Sequence, residues 1–243
     1  MRFSVANVHD PVDTGAIENP DATRQEKIEN QRVSEVSPTA SPFYPLETPM
    51  KLLTHLGIAL FAGLFALGGL AATQDINGVK VEDSASVAGN TLQLNGAGTR
   101  VKIFFKVYVA ALYLGQKTHV PDEVTSQSGP KRLSVTMVRD VGAEVMSEAL
   151  TKGIEDNQGK AALTKFATDL TRMEQIFADQ KKLMTGDNFL IDWIPGSGTV
   201  ITVKGKVQGE PFKDADFYAA LMSVWLGASP VDDRLKTALL GGQ

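Results

Sequence analysis

Three side chains between residues 100 and 113 have the chemistry to hold an anion beside apolar surface: Arg100, Tyr108 and Tyr113. A guanidinium presents its donors as a planar fork, so it can grip a carboxylate or an enolate oxygen through two parallel hydrogen bonds. Tyrosine hydroxyls add single donors. The competing reading gives Arg100 a salt bridge to a nearby acid and makes both tyrosines ordinary core residues. Arg100 and Tyr108 share a face by parity, but eight residues of unbroken strand set them roughly 26 Å apart. They meet at one ligand only if the strand bends or reverses between them.

The element that must position them is Asn95 to Gly115, NGAGTRVKIFFKVYVAALYLG, around which the chain is organised. Asn95-Gly96 tolerates positive φ and Gly98 adds a second permissive position, so a turn or kink is expected there. Val101 to Leu114 is almost all Val, Ile, Phe, Tyr, Ala and Leu with two interrupting lysines, which predicts a strand covered on both faces. Arg100 sits at its mouth.

The inventory removes several chemistries. The chain has no cysteine, so thiol nucleophiles and thiol redox centres lack their parts, and His119 is the one histidine after residue 72, which leaves no histidine-rich metal site. His119 itself reads as a surface residue near Pro121. Pro195 to Thr199 (PGSGT) lacks the lysine and the strand-to-helix setting of a phosphate loop and reads as a hairpin turn. Asp187, Asp192 and the Asp232-Asp233 pair have no spacing that argues acid and base roles, and read as surface or capping residues. No cofactor or metal is implied, and residues 73–243 have nearly balanced charge, which does not attract nucleic acid.

The N-terminal third is different in kind. Ser4 to Pro49 is polar, carries six of the eleven prolines and has no apolar period, so residues 1–49 read as disordered or as a mis-called extension. Met50-Lys51 followed by LLTHLGIALFAGLFALGGLAA has the lysine, apolar stretch and small-residue end of a secretory signal peptide over residues 50–72. A membrane anchor is the alternative, since the segment is just long enough to span. The expected product is a domain at 73–243, periplasmic or secreted in a bacterial envelope, with membrane contact only through an uncleaved N-terminal segment and a monomer as the expected state.

Within that domain, Ile76 to Val81 reads as a first strand or edge hairpin and Val87 to Leu94 as a second strand. Lys117 to Pro130 reads as a loop, and Arg132 to Val138 as a half-buried strand. Helices are expected at Ala143 to Asp156, about Lys160 to Lys182, Asp214 to Leu226 and Asp232 to Leu240, with a meander of short strands from Asn188 to Gln208. Strands and helices come in blocks without regular βαβ alternation, so the fold class is α+β, helices lying against one face of a mainly antiparallel sheet.

Four ordered segments carry a resemblance: Gly96 to Leu114, RDVGAEVMSEAL at Arg139 to Leu150, PGSGTVI at Pro195 to Ile201 and WLGASPVDDRLKTALLG at Trp225 to Gly241. Together they resemble the bacterial chalcone-isomerase-like proteins. The resemblance implies an open-faced β-sandwich, a large antiparallel sheet covered by a layer of helices with a ligand cleft between. The family holds plant chalcone isomerases, which close a chalcone to a flavanone, and fatty-acid-binding relatives without that activity. Of the isomerases' five polar site positions, only the arginine is kept, at Arg100. The others fall on Tyr108, near Val145, near Lys152 and near Val224. A drier cleft with one arginine implies binding of a fatty acid or similar hydrophobic acid, with Arg100 at the carboxylate and Tyr108 as a second donor. An intramolecular lyase in which Arg100 stabilises an enolate, and a structural or partner-binding domain, are the alternatives.

Overall fold

The computed structural model describes residues 72–242. The expected extension at 1–49 and, apart from Ala72, the expected signal segment at 50–72 lie outside the described residues. The order of elements bears out the α+β reading. Strands β1 (Thr73–Ile76) and β2 (Val79–Glu82) form a separate hairpin around Asn77-Gly78, and β3 (Ser84–Val87), β4 (Asn90–Lys102), β5 (Phe105–Leu114) and β6 (Lys131–Met137) enter the main sheet. The chain then leaves the sheet for β7 (Val141–Gly142), helices α2 (Ala143–Gln158), α3 (Lys160–Lys165) and α4 (Ala167–Ala178), and β8 (Lys182–Leu183). It returns through β9 (Asn188–Ile194), β10 (Gly198–Val203) and β11 (Lys206–Val207), and ends in α5 (Ala215–Leu226) and α6 (Asp233–Leu239). The seven-stranded sheet has the order β11-β10-β9-β6-β5-β4-β3, with every neighbouring pair antiparallel.

Period-2 alternation makes these strands two-sided. Along β6, Leu133, Val135 and Met137 point into the core under the helices while Arg132, Ser134 and Thr136 are half-buried on the other face. In β5 every residue from Val107 to Leu114 is buried. Tyr108, Ala110, Leu112 and Leu114 join the helix-side core. Val109, Ala111 and Tyr113 join a smaller core with Val81, Val87, Leu92 and Leu94. The two-sided cover expected of this strand is therefore real. Helix α5 is the most deeply placed helix, with Phe217, Leu221, Val224 and Trp225 all buried, and α2 packs so closely on it that a Cβ at Gly153 would come 2.9 Å from Val224.

The expected turn at NGAG is not where the chain reverses. Asn95, Gly96 and Gly98 lie inside β4, with a register shift between Leu94 and Gly96. The reversal comes at Ile103 and Phe104, so the run from Val101 to Leu114 is the end of one strand and the whole of the next. The glycines serve close approach: a Cβ on Gly96 would sit 2.0 Å from the Ala238 carbonyl oxygen, and one on Gly98 2.7 Å from the Ala238 Cβ. Helix α6 lies directly on the β4 backbone at that point.

Three smaller expectations are corrected. The stretch Val87 to Leu94 holds a reversal at Ala88-Gly89, with β3 ending and β4 beginning inside it. The loop at Lys117 to Pro130 contains a short helix, α1 (Pro121–Ser126), because a proline's fixed φ suits the first helical turn, and Val124 anchors it in the core. The expected helix from Lys160 to Lys182 is divided at Phe166, whose φ of −104° turns the chain as its ring packs edge-on against Phe217 with centroids 5.6 Å apart.

Candidate functional site

The reversal at Ile103-Phe104 solves the distance problem that an unbroken strand would pose. Arg100 on β4 is paired in register with Tyr108 on β5, and both side chains are on the face covered by helices. The Arg100 Cζ lies 5.5 Å from the centre of the Tyr108 ring. Tyr108 is fully buried, and its hydroxyl accepts a hydrogen bond from the Trp225 Nε1–H at 2.9 Å. Burial pushes the Tyr108 hydroxyl up to about 12, against the opposing pull of the Arg100 charge. The phenol therefore stays neutral in the folded protein.

Arg100 has no ion pair among the described residues, and its Nε is buried without an acceptor. Asp232 is close enough to bear on Tyr108, but its carboxylate is already committed. It accepts from the Val101 N–H at 2.9 Å and from the Arg234 and Leu235 N–H groups as the N-cap of α6. The salt bridge of the competing reading is not formed among the described residues, and a buried donor is left over.

Arg100 opens onto a cleft of about 300 Å³ between the β4–β5 hairpin, the corner at Arg139 to Gly142 and the first turns of α2. Val107 and Met146 are buried and form its inner wall with Arg100, while Ile103, Phe105 and Val145 stand exposed at its rim. Lys102 and Arg139 also line it, and Arg139 stacks on Phe105 with Cζ 4.7 Å from the ring centre. The one acid in the wall, Asp140, is held by Lys182 at 3.0 Å and by the Thr185 N–H at 2.9 Å. The Thr185 hydrogen bond, then Lys182, lowers its pKa. An apolar trough with three cations and one neutralised acid suits an anionic head with an apolar body.

Tyr113 does not join this site. It lies on the opposite face of β5, beside Arg132, Glu82 and Asp83, with burial and then Glu82 raising its pKa. His119 is exposed, as expected, with Nδ1 2.5 Å from the Leu240 carbonyl oxygen. PGSGT is the β9–β10 hairpin turn, with positive φ at Gly196 and Gly198. Asp232 caps a helix and Asp187 accepts from the Met184 N–H. Asp192 departs from the surface-or-cap reading. It is buried and takes two hydrogen bonds from Arg132, at 2.7 Å from Nε and 2.6 Å from Nη2. Sequence reasoning missed Arg139, Phe105 and Trp225 as site residues. The available signal was Arg139's position immediately before the amphipathic helix, at the end of a strand neighbouring Arg100's hairpin.

The profile of the chalcone isomerase-like family matches residues 73–241, the whole length that carries the sheet, the helices and the cleft. The chain belongs to the chalcone isomerase-like family. Among solved structures, this chalcone isomerase-like domain is similar to a fatty-acid binding protein of Arabidopsis thaliana, AtFAP1. The TM-score is 0.55 at 12% identity, covering 70% of this chain and 96% of that one, a likeness of fold. No curated protein matches the chain in sequence. The positions matched to the family's polar site now have places. Tyr108 faces Arg100, and Val145 is at the cleft rim. Lys152 is on the exposed face of α2 paired with Asp156, and Val224 is buried against Gly153.

Proposed function

We propose that the chalcone isomerase-like domain binds a fatty acid or a similar hydrophobic acid in the cleft, with Arg100 at the carboxylate and Tyr108 as its neutral neighbour. The observation that carries this reading is the Arg100 guanidinium: it has no ion pair among the described residues, and its Nε is buried without an acceptor beside the apolar inner wall of the cleft. A carboxylate there would supply the missing acceptor and the missing charge together. The fold likeness to a fatty-acid binding protein supports the same ligand class. The signal-like segment at residues 50–72 supports export of the domain.

Binding is favoured over isomerase chemistry because, among the described residues, Asp140 is the only carboxylate in the cleft wall, and its existing partners make it a weak base. A ligand-free structural role would be served by a cleft filled with its own side chains, whereas about 300 Å³ stays open between them. Native mass spectrometry of the purified chain, followed by denaturing extraction, tests the reading. A stoichiometric long-chain acid is expected. Arg100→Ala should weaken its binding roughly 10- to 100-fold, the worth of a charge-assisted pair of hydrogen bonds. Unchanged saturable binding in Arg100→Ala would remove Arg100 from the site.

A further inference from the structure

The β4–β5 hairpin ends in a knob that the core does not use. Ile103, Phe104 and Phe105 are consecutive and are 77%, 90% and 58% exposed. Val145 joins them at the cleft rim, and Met184 lies at the neighbouring β7–β8 corner, where the Thr185 N–H reaches Asp140. Five of the seven large apolar side chains that the described residues expose therefore share one end of the sheet; Val120 lies beyond the far end of β5 and Val207 on the edge strand β11. Scattered exposed apolar residues are ordinary, but a contiguous set of this size marks a contact surface. Ile103 also holds φ at +62°, a left-handed conformation that a β-branched residue resists and that glycine or asparagine would adopt at lower cost. Exposure and strain both oppose an isoleucine here.

The charged side chains that flank the knob directly are cations. Lys102 and Lys106 bracket it, and Arg139 lies on Phe105. None of the three has a carboxylate partner among the described residues; Lys106 is hydrogen-bonded to the neutral Asn77. The acids of the adjoining corner are occupied, Asp140 by Lys182 and Asp187 by Lys204. This local excess stands out on a chain whose net charge is −4. A second copy seated on the knob would bring the same cations together, and a convex tip offers no groove to a peptide. An anionic bilayer accepts a convex apolar tip without a complementary pocket and supplies phosphates for the surrounding cations.

We propose that this end of the domain docks on an anionic lipid surface, with Ile103, Phe104 and Phe105 entering the headgroup–acyl boundary and Lys102, Lys106 and Arg139 at the phosphates. Among the described residues no helix is long and apolar enough to cross a membrane; the contact proposed for the knob is peripheral. Because the cleft opens at the same rim, an acid could pass between bilayer and cleft without crossing water. That consequence rests on the acid-binding reading; the docking itself does not.

The chain contains no cysteine, so Phe104→Cys or Val120→Cys accepts a single environment-sensitive fluorophore in the full-length protein. With phosphatidylglycerol vesicles carrying a quencher on the acyl chain, the label at 104 is expected to shift blue and be quenched several-fold more than the label at 120. Phosphatidylcholine vesicles should give little change. Adding Lys102→Glu and Lys106→Glu to the labelled chain should lower vesicle partition roughly tenfold or more. A label at 104 that stays in water while the chain sediments with vesicles would overturn the proposal, as would equal quenching at 104 and 120 or no sedimentation. A blue shift that rises with protein concentration without vesicles would assign the knob to a second copy instead.

Discussion

Arg100 and Tyr108, eight residues apart in the chain, stand directly opposite one another across β4 and β5, the guanidinium carbon 5.5 Å from the ring centre. Tyr108 is fixed from behind by Trp225. Tyr108→Phe removes the acceptor and leaves the buried indole N–H unpaired, so it should destabilise the domain by about 1–2 kcal/mol in urea unfolding. The Arg100 charge is retained in that variant, so acid affinity should fall far less than in Arg100→Ala. A fluorescent fatty-acid displacement assay on both variants separates the two roles.

Alkaline pH should weaken the fold. The Tyr108 pKa is raised from 10.0 to about 12 by burial, and burial followed by the nearby Asp192 raises Tyr218 as well. Below pH 10 both states hold the phenol proton, and this contribution to stability is complete. Between pH 10 and 12 the unfolded chain releases the proton while the folded chain keeps it, so stability falls as pH rises, by about 2–3 kcal/mol for Tyr108 across that window. Urea midpoints at pH 8, 10 and 11 should drop progressively, and Tyr108→Phe should flatten its share of the slope.

Gly96 is required by the approach of α6. An alanine Cβ would lie 2.0 Å from the Ala238 carbonyl oxygen and 2.8 Å from that of Leu239, both backbone atoms that cannot rotate away. Gly96→Ala should cost about 3 kcal/mol, the upper part of the overpacking range, by pushing α6 off β4. Gly115→Ala, with open space around its Cβ position, should cost far less. Thermal or urea unfolding of the pair gives the comparison.

The Arg132–Asp192 pair is structural. Asp192→Asn should lower stability by about 2 kcal/mol, because it leaves a half-buried guanidinium without its carboxylate. It should leave fatty-acid affinity unchanged, since Arg132 is in register with Tyr113 on the side of the sheet away from the cleft. Loss of ligand binding in a folded Asp192→Asn would count against the assigned site.

Ile103→Gly should move stability and surface binding in opposite directions. Relief of the left-handed isoleucine is expected to raise stability by about 1 kcal/mol. The same change removes apolar surface from the knob and should reduce partition onto phosphatidylglycerol vesicles. Urea unfolding and vesicle sedimentation of one preparation read both effects.

The amino-acid sequence by itself determined the elements whose periods are local. The alternation from Arg132 to Val138, the helical stripe of Met146, Leu150 and Ile154 and the aspartate cap before Arg234 each depend on neighbours within a few residues, and each stands where the pattern put it. The polar inventory likewise singled out Arg100 and Tyr108. Their meeting was not legible, because it depends on a reversal at Ile103-Phe104 that carries no turn residue. The glycines that looked like the turn answer instead to a helix about 140 residues later in the chain. Tertiary structure decided which glycine marks a bend and which a close contact, since the atoms that distinguish the two come from distant sequence. It also decided that Arg100 has no acid partner among the described residues: Asp232 is brought close by α6 packing on β4, and there it is spent on the Val101 backbone and the helix cap.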